Sequence, residues 1–399
     1  MMQSIRYIYK MGHGPSSSHT MGPSKAATVM MERFPNANNF KVTLYGSLAL
    51  TGKGHLTDKI IIDTFGDKKC EIKFDYLTEC PYHPNTLDIH AYLDSEELGM
   101  HRFFSIGGGS IEIEGEGKYV EEMVYPFKKF TETREYLEKN NLTIPEYVVQ
   151  VEGEEIIEYL HEVYSRMKST IKSGLTKSGK LPGSLGVERK AQQIMNKFFI
   201  DGSMILNKKI FAYAYAVSEE NASGEIVVTA PTCGACGVLP SVLYGLQKEY
   251  QFPLEKIIEA LMVAGLFGNI VKNNASISGA EAGCQAEIGT ACAMTAAASA
   301  YLFGLCLDDI EQAAEVALEH HLGLTCDPID GYVQIPCIER NAVCALRALD
   351  SAKLVQFMGD SEHKISFDMV CKTMLETGRD LHEKYRETAE GGLAKEYRK

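Results

Sequence analysis

Long apolar runs are missing from this 399-residue sequence. No stretch reaches the roughly 18 consecutive apolar residues that a membrane-spanning helix needs, so no span is expected. The first six residues lack the apolar core of a secretory signal, which makes the cytoplasm the expected location. Basic side chains are in deficit: 40 Lys and Arg stand against 53 Asp and Glu, for a formal net charge of -13. That balance argues against nucleic acid or an anionic membrane surface as the main partner. The Gly107-Gly108-Gly109 run lacks the pattern of a dinucleotide fingerprint or a phosphate loop and reads as a tight turn or bulge. A second C-x-x-C and an H-x-x-x-H pair are also missing, so Cys233 and Cys236 do not make a separate zinc site; they read as a loop lining a site or as a fortuitous pair. Tryptophan is absent, and nothing follows from that.

Cysteine, by contrast, is plentiful. There are 11, an odd number, so they cannot all pair within one chain. In a reducing compartment such thiols are buried, catalytic or metal-bound. A hydrophobic content of 45% with 23% charged residues is an ordinary globular balance, and the length suits two or three domains.

The pattern changes along the chain. Residues 40–50, 87–92, 101–106 and 111–114 have strand character, with helices predicted over 23–34 and 56–65. This predicts an α+β domain with a mostly antiparallel sheet over residues 1–130. Residues 131–155 read as a connector. Helical periodicity dominates residues 156–399, an all-α domain, with helices predicted over 254–271, 285–303 and 338–357 among others. After its first turn the 285–303 segment is small or apolar on every side, which places it at the centre of a bundle.

Three loops carry chemistry. Residues 12–23 hold Ser16, Ser17, Ser18 and His19 ahead of a helix: hydroxyls, amides and a helix N-terminus suit a carboxylate or phosphate, and His19 suits a proton carrier or ligand. The alternative is a loop whose serines cap their own backbone. Gly52-Lys53-Gly54-His55 suggests a close backbone approach, or an ordinary turn. The polar run 273–283, with Asn274, Ser276 and Ser278, lies between two apolar helices and must cap them or face a ligand.

Cys284, Cys326 and Cys337 each sit where a helix begins or a loop turns. A thiolate near a helix N-terminus has a lowered pKa, and the thiolate is the metal-binding form. Singly, each thiol reads as buried core. Together they make a metal corner one ligand short, whose metal the spacing does not name. Cys292 lies two turns beyond Cys284, roughly 12 Å along a helix, and reads as core. Cys70, Cys80, Cys306, Cys344 and Cys371 have no such context.

Residues 14–20, 45–55, 105–109, 229–232, 274–284, 323–328, 336–341 and 384–393 carry a resemblance to the iron–sulfur-dependent L-serine dehydratases over nearly the whole chain. The resemblance implies an N-terminal domain similar to the allosteric substrate-binding domain of some phosphoglycerate dehydrogenases. It also implies a helical catalytic domain with a [4Fe–4S] cluster on Cys284, Cys326 and Cys337. The expected reaction is β-elimination of water from L-serine, giving pyruvate and ammonia. An open iron acts as Lewis acid and a base, His19 or His55, takes the Cα proton. Ser16, Ser17, Ser18, Asn274, Ser276 and Ser278 are the expected substrate contacts. Relatives often have Asn at the position of Cys233, and they end in a tail Cys that this sequence lacks, so water or another small ligand is expected on the fourth iron. The expected assembly is a homodimer. The alternatives are β-elimination from cysteine or threonine at the same cluster, a pyridoxal-phosphate lyase, for which no lysine sits in a phosphate cradle, or a sensor, for which no DNA-reading motif is present.

Overall fold

The computed structural model describes residues 1–80, 82–119, 123–198, 202–359 and 363–397. Near the N-terminus, alternation of apolar and polar residues builds a six-stranded sheet. Its spatial order is Lys69–Phe74, Asn39–Leu44, Thr86–Leu93, Glu96–Ser105, Ile111–Ile113 and Gly117–Lys118. The first pair is parallel and the rest are antiparallel. Phe40, Val42 and Leu44 are buried, while Lys41 between them is exposed, as a period of two requires. Burying each such side chain contributes about 1.5–3 kcal/mol. The Met21–Arg33 and Thr57–Phe65 helices cover this face through Ala26, Met30, Ile61 and Phe65, with the Phe40 and Phe65 rings stacked at 4.1 Å. The predicted strand over 40–50 stops at Leu44, and residues Gly46–Leu50 turn into a short helix. Gly46 causes the break: its φ is +52°, and a Cβ there would meet the Pro84 carbonyl oxygen at 2.3 Å.

The remainder is helical. Thr290–Leu302 packs against Leu254–Asn274, Leu307–Glu319, Cys337–Met358 and Val238–Tyr250, the central position its composition predicts. Its alanines permit close helix approach, and two of its buried hydroxyls are satisfied internally: Thr295 donates to the Ala291 carbonyl at 2.7 Å and Ser299 to that of Thr295 at 2.8 Å. The segment predicted as one α-helix begins instead with a π-helical turn, Gln285–Gly289, a form concentrated at functional sites. Most of residues 131–155 lie in two helices, Phe130–Asn140 and Ile144–Glu152, whose buried Leu137, Ile144, Tyr147 and Val148 join the helical core. None of the helices among the described residues is long and apolar enough to cross a membrane.

The two parts interlock. Ile5, Ile8 and Tyr9 belong to the helical core, and the Tyr9 hydroxyl donates to the Leu261 carbonyl at 2.7 Å. Met11–His13 then pairs antiparallel with Ile226–Val228 before the chain enters the sheet region. This anchoring sets the serine-rich loop and the turn around His55 against the cysteine-bearing loops.

Candidate active site

Ser16, His55, Gly234, Cys284, Glu287, Cys326, Cys337 and Glu387 line one narrow cavity. Cys284 precedes the π-turn and Cys337 is the first residue of its helix, behind Pro336. Cys326 is held by an exchange with the C-terminal segment: its N–H donates to the Tyr385 carbonyl and its carbonyl accepts from Glu387 N–H, each at 2.8 Å. One atom each of Cys284, Cys326 and Glu287 lie within 4.8 Å of one another.

The thiols do not share one electrostatic fate, contrary to the expectation that all three are acidified. Cys284 is drawn below the usual thiol pKa by a hydrogen bond from Cys326 and by the Arg340 charge, which together outweigh burial. Cys326 is pushed up by that hydrogen bond and by burial, and Cys337 by burial and by the charge on Cys284. One buried thiolate makes the next costly unless a cation compensates. Arg340 is itself fixed, donating to the Thr325 carbonyl at 2.7 Å and to Asp327 Oδ1 at 3.3 Å.

The His19 and His55 rings lie 4.2 Å apart between centres, tilted by 36°, both fully buried. The hydrogen-bond network assigns their tautomers. His19 Nε2 faces Thr51 Oγ1 at 2.9 Å and the Ser47 carbonyl and hydroxyl oxygens at 3.3 Å. Those hydroxyl protons are directed elsewhere, Thr51 to the Ser47 carbonyl and Ser47 to the Glu387 carbonyl. All three oxygens therefore accept from Nε2–H, and Nδ1 keeps its lone pair, facing Ser18 Oγ at 3.0 Å and Ser16 Oγ at 3.3 Å. In His55, Nδ1–H donates to the Thr51 carbonyl at 3.1 Å, while buried Nε2 has no hydrogen-bond partner among the described residues. Burial lowers His19 to about 4; burial and the neighbouring His19 lower His55. Glu387 Oε1 lies 3.7 Å from His19 Nδ1 and 3.8 Å from His55 Nε2. Burial, then the charges of Glu287 and Cys284, push Glu387 well above the usual carboxylate range. Burial thus works against an ion pair within this trio.

The other expected site residues divide. Ser16 borders the cavity and approaches Ser18 Oγ at 3.2 Å. Ser17 is buried, and its carbonyl accepts from Gly22 N–H at 3.0 Å. Ser278 is buried with its hydroxyl unpartnered among the described residues, beside the turn at Gly107. Ser276 donates to Glu281 at 2.6 Å, and Asn274 donates to the Lys128 and Ile270 carbonyls at 2.6 and 2.8 Å, closing the end of its helix. Neither of these two side chains borders the cavity. Cys233 and Cys236 are buried behind it; their loop contributes Gly234 and Thr232, whose hydroxyl donates to Glu287 at 2.7 Å.

Sequence reasoning did not single out Thr51, Glu287 or Glu387. Thr51 and Glu387 both lie inside stretches that carry the resemblance, and Glu287 follows Cys284 by three residues. Glu387 sits in left-handed backbone, φ +59°, a conformation that costs a non-glycine residue about 1–3 kcal/mol and persists where the surroundings over-determine it. Here Asp327 helps fix the segment by accepting from Leu393 N–H at 2.7 Å.

The donor set fits a thiophilic metal group. Three thiols open onto one cavity, Arg340 supplies compensating charge, and His55 Nε2 and Glu387 Oε2 are buried without partners among the described residues. Room is kept by Gly279, where a Cβ would stand 3.2 Å from Cys326 Sγ and 2.9 Å from Glu287 Oε2.

Comparison with known proteins agrees with this geometry. Residues 4–66 match the family model for the serine dehydratase beta chain and residues 85–394 that for the alpha chain. The chain is 38% identical to L-serine dehydratase of Streptomyces coelicolor over 452 positions, covering 99% of each protein. It is 37% identical to L-serine dehydratase 1 of Escherichia coli over 98% of this chain and 99% of that protein. With L-serine dehydratase of Helicobacter pylori strain 26695 the identity is 38%, covering 98% of each. Both family regions lie in one polypeptide, and the chain belongs to the serine dehydratase family.

Proposed function

We propose that this protein is an L-serine dehydratase, converting L-serine to pyruvate and ammonia, with a [4Fe–4S] cluster held by Cys284, Cys326 and Cys337. The observation that carries the reading is the convergence of three thiols and an unpartnered imidazole nitrogen, His55 Nε2, on one cavity. Such a cluster supplies, when bound, a Lewis-acidic iron that withdraws electron density from the serine carboxylate and β-hydroxyl. In this reading His55 Nε2 takes the Cα proton. The Thr51 carbonyl, bonded to Nδ1–H, steadies the charge that forms on the ring. The neutral Glu387 carboxyl delivers its proton to the departing hydroxyl, which leaves as water. The proton on His55 then returns to Glu387 across their 3.8 Å separation. The aminoacrylate product tautomerises and hydrolyses to pyruvate and ammonia. His19 acts as a positioning residue, lying against His55 and held by Ser18 and Thr51. Ser16 and Ser278 offer hydroxyls to substrate, while Ser17, Ser18, Asn274 and Ser276 shape the surrounding loops.

The same proposal includes a homodimer working in the cytoplasm. Exposed Leu354, Phe357 and Met358 at one helix end support the first part, and 11 free cysteines support the second. The decisive experiment is anaerobic purification with iron and sulfide analysis alongside a serine turnover assay. Stoichiometric iron and sulfide with turnover are expected. Full turnover by metal-free protein would overturn the cluster reading.

A further inference from the structure

A second group of soft ligands lies behind the cavity wall, in a place where the sequence suggests only core packing. Cys292 and Cys344 come from two different helices and His321 from the turn that follows the Leu307–Glu319 helix, and all are buried. One ligand atom from each lies within 4.8 Å of the others. We propose that Cys292, His321 and Cys344 form a second metal site that takes one thiophilic divalent cation, with Zn²⁺ as the reference ion.

Four observations support the assignment. First, His321 is oriented as metal-ligating imidazoles are. Its Nδ1 is 2.7 Å from the Ala317 carbonyl, so Nδ1 carries a proton and Nε2 is the atom available toward the sulfurs. Second, beyond one another the thiols have only single backbone carbonyls as hydrogen-bond partners among the described residues: Cys344 Sγ donates to the Ile288 carbonyl at 3.4 Å and Cys292 Sγ to the Cys344 carbonyl at 3.7 Å. Third, the backbone makes room for the imidazole. A Cβ at Gly289 would stand 2.9 Å from His321 Cβ, so a glycine at the end of the π-turn lets this histidine approach. Fourth, a groove lined by His321, Cys344 and Arg347 connects the group to solvent, giving a cation access and leaving a fourth position for water.

Charge favours a divalent ion. Two thiolates and one Zn²⁺ sum to zero, which suits a buried apolar site where an uncompensated charge is costly. Without metal, the ligand atoms of Cys292, Cys344 and His321 face one another directly. The cation takes the place of the Cys344 thiol proton and of the proton shared between His321 and Cys292. Tetrahedral Zn²⁺ sets such donors roughly 3.7 Å apart, so ligand atoms within 4.8 Å of one another need close in by no more than about 1 Å, within reach of side-chain rotation. The site shares a wall with the candidate active site, since Ile288 lines that cavity and accepts from Cys344. It does not share ligands with it.

The test uses holoenzyme purified anaerobically, incubated with Zn²⁺ and desalted, with zinc, iron and sulfide counted per chain. Wild type is expected to retain one Zn²⁺. Cys292→Ala and Cys344→Ala should each lower zinc affinity at least about tenfold while keeping wild-type iron and sulfide. Cys284→Ala should lose iron but keep the zinc. A zinc-edge X-ray absorption spectrum of unaltered protein should show two sulfurs and one nitrogen, a readout that does not depend on how the variants fold. Zinc retained in both Cys292→Ala and Cys344→Ala, zinc lost only in Cys284→Ala, or no stoichiometric zinc in wild type would each overturn the proposal.

Discussion

His55→Asn separates chemistry from folding at this site. Asn can keep the bond that His55 Nδ1–H makes to the Thr51 carbonyl at 3.1 Å, because its amide nitrogen occupies much the same place. It has no counterpart of Nε2, a buried atom without a hydrogen-bond partner among the described residues. If Nε2 is the base, kcat should fall by about 10²–10⁴-fold, the usual contribution of a positioned proton acceptor. That range corresponds to roughly 3–5 kcal/mol at 1.36 kcal/mol per tenfold. Burial of the three cavity thiols is untouched, so iron per chain should equal that of wild type. Only one ring of the His19 and His55 pair can carry charge at a time: at 4.2 Å two protonated rings repel by about 4 kcal/mol at an effective dielectric of about 20. Removing His19 should therefore raise the pKa of His55, which its neighbour now helps lower. The acid limb of kcat/KM in His19→Asn should move to higher pH. The assay is anaerobic pyruvate formation at saturating L-serine, with iron measured on the same samples. Turnover of His55→Asn within about threefold of wild type at normal iron would refute the assignment of the base.

Three further outcomes are expected. Gly279→Ala should fold but lose iron, because the new Cβ would stand 3.2 Å from Cys326 Sγ; a wild-type iron content in that variant contradicts the fit. Glu387→Gln replaces a neutral carboxyl with an amide of the same shape that cannot pass a proton, so stability should change by less than about 1 kcal/mol while kcat falls at least about 100-fold; equal turnover removes Glu387 from the proton path. Folding should become less favourable on acidification through His19: its pKa drops from 6.5 to about 4 in the folded chain, so the unfolded chain binds the proton first. The stabilisation is fully present above pH 6.5 and is lost as pH falls through about 4, amounting to about 3 kcal/mol. Urea titrations of wild type and His19→Asn across that window check it, and identical pH slopes contradict it.

Much of the local structure was legible from neighbouring residues alone. The alternation around Phe40 and Val42 marks a half-buried strand, and the all-round apolarity beyond Gln285 marks a central helix, because each depends on a pattern within one segment. The strand end at Gly46 was not legible. A glycine's φ depends on what lies across from it, here the Pro84 carbonyl. The π-turn at Gln285–Gly289 was hidden for a similar reason, since the same residues suit an α-helix taken alone.

The sequence by itself determined the kind of chemistry. Cys284, Cys326 and Cys337 at helix starts and turns, with Ser16, His19 and His55 in glycine-rich loops, are choices of residue type that survive any arrangement of the chain. Only the tertiary structure decided which atoms meet. It left His55 Nε2 without a hydrogen-bond partner among the described residues, brought Glu387 back over both histidines through the exchange between Cys326 and the C-terminal segment, and gathered Cys292, His321 and Cys344 from two helices and a turn. Tautomer, charge state and ligand grouping all depend on distances of a few ångströms between residues far apart in sequence. Those distances are set by helix packing and buried hydrogen bonds, which no single segment encodes.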